Sequence, residues 1–452
     1  MDKLEDLKKD SKFKHQFLFS LPRLGTSIIL GIEGWALLTL YTSGYGLDPF
    51  RTGFAIAMGY LTIAIFQFLL GWISDVRYTK LGRRKPYILI FSPLLGLSII
   101  FLLLPQLILP DLNNKDVLFF WVLIWDIIFR ASYAVTTPYQ AWMAELFNVE
   151  IRPKVSQIQN TFNYVGNGVM AIFSLLILTS YVDDLKVNVN STVPGIFAIP
   201  IIIFGILTIV LFYLIAFFLP TEPKYELKSN MKESLNTILK NKNFLLIIFM
   251  VGISGLAWSM ITSTMLKYTE DALNLGGLDY VIVALFLLIF IFIFLYLWRR
   301  SINKKGKKKT LLCIFLIAAA FLPITFISLI PMPSYLIFGI IFIIGIGAVL
   351  GGWFLFPYIV YADVAEDDQK RSGELKAGIY AGFPSIILNI FQAIGSLLIG
   401  AILSIPIYYS PSVAVDSYSI GLILWGPIAS LILLIAYFYT KKYVVLDFEW
   451  EK

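Results

Sequence analysis

Cysteine and histidine are nearly missing from this sequence. One of each occurs among 452 residues: Cys313 in an apolar segment and His15 in a basic N-terminal stretch. A lone cysteine closes no internal disulfide, and the pair cannot supply the ligand set of a structural zinc site. With no histidine or cysteine pair at membrane depth, an embedded transferase or hydrolase has no catalytic cluster to work with, so no enzyme, metal or cofactor is expected. Charge is also scarce: charged residues make up 14% of the chain, against roughly 25% in a soluble domain. Such a surface must face something other than water. The net charge of +7 is carried by residues lying between apolar segments, with no continuous basic stripe. Nucleic acid is therefore not an expected partner; a lipid bilayer is.

What fills the chain is hydrophobic residues, 58% of the total. Apolar runs recur at the ~20 residues a helix needs to cross ~30 Å of hydrocarbon. They predict an all-α integral membrane protein with spans at 17–42, 50–74, 86–109, 116–139, 156–181, 194–219, 243–267, 278–298, 310–331, 334–361, 376–405 and 417–440. The first sixteen residues are highly charged and the first apolar run has spanning length, so a cleavable signal peptide is not expected.

Lys and Arg set the orientation. Clusters at Lys3–Lys14, Arg77–Lys85, Arg152–Lys154, 224–242, Arg299–Lys309, Lys370–Lys376 and Lys441–Lys452 hold most of the 36 basic residues, all on one side. Both termini are therefore expected in the cytoplasm of a multi-pass plasma-membrane protein. Asn190-Ser191-Thr192 is an external glycosylation sequon by this topology.

The polar stretch 220–242 divides the spans into six and six. The expected domains are an N-terminal bundle (1–219), a cytoplasmic linker (220–242) and a C-terminal bundle (243–452). A surface helix is expected from Met231 to Asn243. The loop after span two reads Gly71-Trp72-Ile73-Ser74-Asp75, then Arg77, Lys80 and Gly82-Arg83-Arg84-Lys85-Pro86. After span eight, Arg299-Arg300 is followed by Lys304-Lys305-Gly306-Lys307-Lys308. A basic, glycine-containing turn at the same place in each half suggests a parallel internal repeat.

With these motifs the chain resembles the major facilitator superfamily, and within it the glycoside–pentoside–hexuronide cation symporters, relatives of melibiose permease and the plant sucrose carriers. The likeness is carried by the Gly71–Ile88 loop and by Thr137-Pro138-Tyr139-Gln140-Ala141-Trp142 with Glu145-Leu146. It continues in Lys240-Asn241-Lys242-Asn243-Phe244 and in Tyr361-Ala362-Asp363-Val364-Ala365-Glu366-Asp367 with Ser372-Gly373-Glu374. The resemblance implies two six-helix bundles rocking around a mid-membrane site lined by spans one, four, seven and ten. It implies a functional monomer carrying a small polar solute, with a sugar or glycoside expected. It also implies gating by Asp75, Arg83, Arg84, Asp363 and Lys307. The family's acidic cluster is absent: its positions align with Leu24, Ile63, Gln67 and Thr136, and a span-eleven lysine with Asn389. A sodium cage of oxygen ligands cannot be assembled from these residues. Proton coupling or plain uniport is the expectation.

An ionisable group at mid-bilayer costs ~2.5–3.5 kcal/mol on insertion scales, so each one present calls for a role. Glu33 lies near the centre of span one; Asp126 and Arg130, spaced i, i+4, share one face of span four. Two readings stand for the latter pair, a self-neutralising intrahelical bridge or solute binding. Glu33 is either a proton carrier or a partner of Arg130, and Asp126 is the other coupling candidate. Gln140, Asn160, Asn163, Asn389 and Gln392 supply donors and acceptors for hydroxyl-rich ligands, and Trp142 and Trp258 flat faces for a sugar ring; packing is the alternative for the tryptophans. A lysophospholipid or other amphiphile carrier of the same fold and a non-transporting membrane sensor are the competing functions.

Overall fold

A computed structural model of the chain describes residues 12–147, 151–221, 239–276, 278–353, 355–356, 360, 363–364, 367, 377–410 and 417–448. Among these residues twelve helices are long and apolar enough to cross a membrane. They are Phe13–Gly44, Pro49–Ser74, Lys85–Leu103, Lys115–Met143, Lys154–Val187, Gly195–Phe218, Lys242–Ala272, Leu278–Lys305, Lys307–Leu329, Leu336–Trp353, Phe383–Leu403 and Gly421–Tyr443, and are called spans one to twelve below. Each overlaps the apolar run that predicted it. Two differ at their ends in a way that matters: span five continues to Val187 rather than 181, and span seven to Ala272 rather than 267. Their last turns carry Asp183, Asp184 and Lys186 and Glu270 and Asp271, charges that end the apolar pattern without ending the helix. Most of the expected surface helix at Met231–Asn243 lies outside the described residues.

Local chemistry explains the breaks. Span four is two helices, Lys115–Tyr133 and Thr136–Leu146. Pro138 has no N–H to offer the carbonyl of Ala134, and its ring crowds that carbonyl, so the ladder parts at 134–135. The turns after spans two and eight each hold a glycine with positive φ, Gly82 at 95° and Gly306 at 85°. Only glycine adopts such a conformation without a Cβ penalty.

A second correspondence between the halves lies at the far ends of spans one and seven. Each ends in a π-helical turn, Leu40–Gly44 and Tyr268–Ala272. In the first, the N–H groups of Tyr45 and Leu47 reach back to the carbonyls of Leu40 and Tyr41; in the second, those of Leu273 and Leu275 reach Tyr268 and Thr269. A left-handed residue follows each turn, Gly46 at φ 63° and Asn274 at φ 49°. The backbone repeats bond for bond.

The chain divides into two compact units. The first comprises Met1–Glu33, Met58–Phe173 and Asn190–Lys232; the second comprises Gly34–Ala57, Ser174–Val189 and Glu233–Lys452. This division differs from the sequence halves, because the far ends of spans one, two and five pack with the second half. Within the first unit, spans three and six touch backbone to backbone: a Cβ on Gly96 or Gly205 would overlap the other's carbonyl oxygen. Small residues at such crossings permit the close approach on which helix packing in lipid depends. Within the second unit, spans seven and eleven interlock, Gly252 against the Phe391 ring and Gly395 against Ser259 and the Leu256 carbonyl.

Candidate functional site

Three ionisable side chains meet in the first unit, from spans one and four. Glu33, Asp126 and Arg130 are 2%, 0% and 3% exposed. The i, i+4 spacing puts Asp126 and Arg130 on one face, as expected, but Arg130's partner is Glu33. Its Nη2 donates to Glu33 Oε1 at 2.6 Å and Oε2 at 2.5 Å, and its Nε to Oε1 at 3.1 Å. The intrahelical bridge is therefore not the arrangement adopted. A guanidinium presents its donors as a planar fork, and two oxygens of one carboxylate fit that fork best when both are approached from another helix. The Tyr60 ring, from span two, covers the guanidinium carbon at 4.1 Å from the ring centre, adding a cation–π contact.

Asp126 is left in a different position. Neither of its carboxylate oxygens has a hydrogen-bond donor among the described residues. Glu33 lies within reach for a carboxyl–carboxylate hydrogen bond once one of the two acids holds a proton. Space for the Asp126 carboxylate is made by Gly59 of span two, where a Cβ would collide with Asp126 Oδ2. Two buried acids beside one buried guanidinium carry a net negative charge, and one proton makes the group neutral. In a dry interior such an unpaired charge is costly.

The other expected solute residues are dispersed. In the first unit Asn163 accepts from Ser27 Oγ at 2.6 Å, joining spans one and five. Asn160 is exposed and Gln140 half-buried. Trp142, expected as a sugar platform, is fully buried instead: Phe19 meets it edge-on at 6.4 Å and the Lys85 ammonium lies over its ring at 5.8 Å. In the second unit Trp258 is likewise covered, stacked on Trp353 at 5.3 Å. Asn389 is buried and Gln392 half-buried on span eleven.

Of the expected gating residues, Lys307 and Asp363 pair with each other, and Arg84 pairs with Glu145 instead. Arg84 donates to Glu145 Oε1 at 2.5 Å and to Ser74 Oγ at 2.6 Å, all within the first unit. Lys307 Nζ bonds Asp363 Oδ2 at 2.6 Å within the second. Arg83 is buried beside Arg84 in sequence. Asp75 falls in the last turn of the helix Pro49–Val76, and its side chain lies outside the described residues. Among the described residues no group of three or more His, Cys, Asp or Glu side chains could hold a metal ion.

Sequence reasoning missed one cluster entirely. Lys186, Lys267, Glu270 and Asp271 join with Ser43 in the second unit. The signal was the charge density just beyond spans five and seven.

Comparison with known proteins places these features. The profile of a family described as MFS/sugar transport protein matches residues 18–442. No curated protein matches the chain. Among solved structures, a D-xylose-proton symporter is similar at a TM-score of 0.63 and 14% identity, covering 96% of each chain. The nucleoside transporter NupG is similar at 0.61 and 13% identity, covering 95% of this chain and 99% of that one. The inward-open xylose transporter XylE from E. coli is similar at 0.59 and 14% identity, covering 96% and 95%.

Proposed function

Since the chain belongs to the MFS/sugar transport protein family, and is a multi-pass membrane transporter rather than an enzyme, we propose that it carries a sugar or glycoside by alternating access, coupled to a proton through Glu33, Asp126 and Arg130. The observation that carries this reading is Asp126: a fully buried acid with no donor among the described residues, beside an acid that Arg130 holds. Arg130 fixes Glu33, and Asp126 takes up and releases the proton. Solute binding near Arg130 competes for the guanidinium, loosens Glu33 and changes the field at Asp126. Protonation and solute occupancy are thereby linked through one shared cation. Gln140, Asn160 and Asn163 of the first unit are the amides that recognise hydroxyl groups. The family description supports a sugar, and structural neighbours that carry xylose and nucleosides are consistent with a polyhydroxylated solute.

The test uses purified protein in liposomes enclosing a pH-sensitive dye. Mono- and disaccharides and nucleosides are screened, with and without sodium. A sugar that drives proton entry, and accumulates under an imposed proton gradient, is the expected result. Asp126→Asn should keep solute exchange but lose accumulation. Uptake indifferent to pH in the wild-type protein would reject the coupling, and response to nucleosides alone would reject the solute class.

A further inference from the structure

The glycine turns after spans two and eight match in composition but use their cations differently. In the first, Arg83, Arg84 and Lys85 are buried; Glu145 holds Arg84, and Lys85 Nζ donates to the Leu219 carbonyl at 2.7 Å. In the second, seven basic residues stand between Arg299 and Lys309. Lys307 pairs with Asp363, and Asp447 accepts the backbone N–H groups of Lys307 and Lys308. Arg299, Arg300, Lys304, Lys305 and Lys309 are all exposed, and none has a hydrogen-bond or ion-pair partner among the described residues. Two exposed apolar stripes run into these cations. On span eight Leu285, Ile289, Phe292 and Tyr296 recur at helical spacing and lead into Arg299 and Arg300. On span nine Leu316 and Cys313 lead to Lys309. The Ser301 and Thr310 hydroxyls lie 3.0 Å apart, so Arg300 and Lys309, next to them in sequence, share this corner of the fold.

We propose that the turn between spans eight and nine binds an anionic phospholipid, its headgroup phosphate on Arg299, Arg300 and Lys309 and its acyl chains along the two stripes. No carboxylate among the described residues satisfies these cations, so their counter-charge comes from outside the chain. Basic clusters set directly at the end of a span take it from anionic headgroups. Length selects a lipid over a soluble anion. Leu285 and Tyr296 are eleven residues apart, ~16 Å at 1.5 Å per residue, close to half of the ~30 Å hydrocarbon layer. An acyl chain lying along that stripe therefore brings its phosphate level with Arg299 and Arg300. The planar fork of a guanidinium matches two phosphate oxygens at once. Tyr296, at the junction, has the apolar ring and polar hydroxyl that suit the boundary between chain and headgroup. The matching turn of the first half offers no such surface, because Arg84 and Lys85 are already bonded inward. The inference depends on neither the solute nor the proton.

The test uses Cys313, the chain's one cysteine, exposed and four residues from Lys309. It is labelled with a bimane fluorophore, and the protein is reconstituted in phosphatidylcholine liposomes. Into these goes either phosphatidylglycerol or phosphatidylcholine with brominated acyl chains, which quench on contact. Brominated phosphatidylglycerol should reach half-quenching at a mole fraction roughly fivefold lower for each cation engaged, and high salt should shrink the difference. Arg299→Gln with Arg300→Gln should bring the two lipids together. Lys441→Gln with Lys442→Gln removes the same charge from the end of span twelve and should leave the preference intact. Equal quenching by both lipids in the wild-type protein overturns the site, as does a preference that the two double variants lower alike. Inositol hexaphosphate, added on both sides at matched ionic strength, should not displace the lipid. If it abolishes the preference, the cations serve a soluble polyphosphate and the proposal fails. Quenching by brominated phosphatidylcholine, unchanged across the variants, checks that each has kept its fold.

Discussion

Arg130 grips both carboxylate oxygens of Glu33 with a single nitrogen, at 2.6 and 2.5 Å, across spans four and one. Removing the cation strands two acids in a dry site. Arg130→Met is expected to lower stability by about 3–5 kcal/mol, the usual cost of breaking a buried pair on one side. Combining it with Glu33→Gln should recover most of that loss, because one stranded charge disappears. Transport should stay absent in both variants. Thermal unfolding in detergent, set beside uptake in liposomes, separates the effects; a double variant no more stable than Arg130→Met would show that the pair is not the seat of the loss.

Gly59 and Gly34 give a matched comparison. A methyl group on Gly59 would strike Asp126 Oδ2, whereas one on Gly34 meets nothing within 4 Å. Gly59→Ala should therefore displace the donor-less carboxylate and cut proton-coupled accumulation, by about tenfold if the acid's free energy shifts by ~1.4 kcal/mol. Gly34→Ala should stay within a factor of two of wild type in the same assay. Equal behaviour of the two would mean that the position of Asp126 does not matter.

The twelve spans were legible because hydrocarbon thickness imposes a length and a composition that no soluble helix needs to obey. Glu33, Asp126 and Arg130 were legible for the same reason, as charges where none belongs. Their pairing was legible only as one alternative: i, i+4 spacing offered Asp126 to Arg130, Glu33 stood as the other partner, and the tertiary fold brought Glu33 to face the fork. Lys186, Glu270 and Asp271 were invisible because polar residues on a final turn look like the start of a loop. Trp142 and Trp258 stood between two readings: the ring that could stack on a sugar stacks equally well on Trp353 or under Lys85, and sequence alone does not distinguish them.

In the first unit, Arg84 is fastened to Glu145 with both side chains nearly inaccessible, 3% and 6% exposed. Glu145→Gln keeps the shape and one acceptor but leaves the guanidinium without its counter-charge. If this pair steadies the ends of these helices during gating, turnover should fall several-fold while solute affinity stays near wild type. Uptake rates and equilibrium binding on the same preparation decide it. A loss of affinity with unchanged turnover would instead place Glu145 among the solute contacts.

The segment after span twelve, residues 444–448, is tied down and supplies a helix cap from a distance. Asp447 Oδ1 accepts from the backbone N–H of Lys307 at 2.7 Å and of Lys308 at 3.4 Å, at the start of span nine. Asn243 exchanges two hydrogen bonds with Val445, and Val444, Leu446 and Phe448 are buried. The residue before the helix is Gly306, with φ 85° and ψ 165°, a conformation nearly closed to any other residue. It has no side chain to cap with, so the tail carboxylate satisfies the exposed N–H groups and meets the positive end of the helix. Asp447→Ala should lose about 1 kcal/mol of stability, as cap removals do. Gly306→Ala should lose about 1–3 kcal/mol through backbone strain, compounded by a Cβ only 3.1 Å from Asp447 Oδ1. Because the Gly306→Ala variant also dislodges the cap, adding Asp447→Ala to it should cost less than Asp447→Ala alone. Thermal unfolding of the single and double variants measures this, and strict additivity would show that the glycine and the carboxylate act independently.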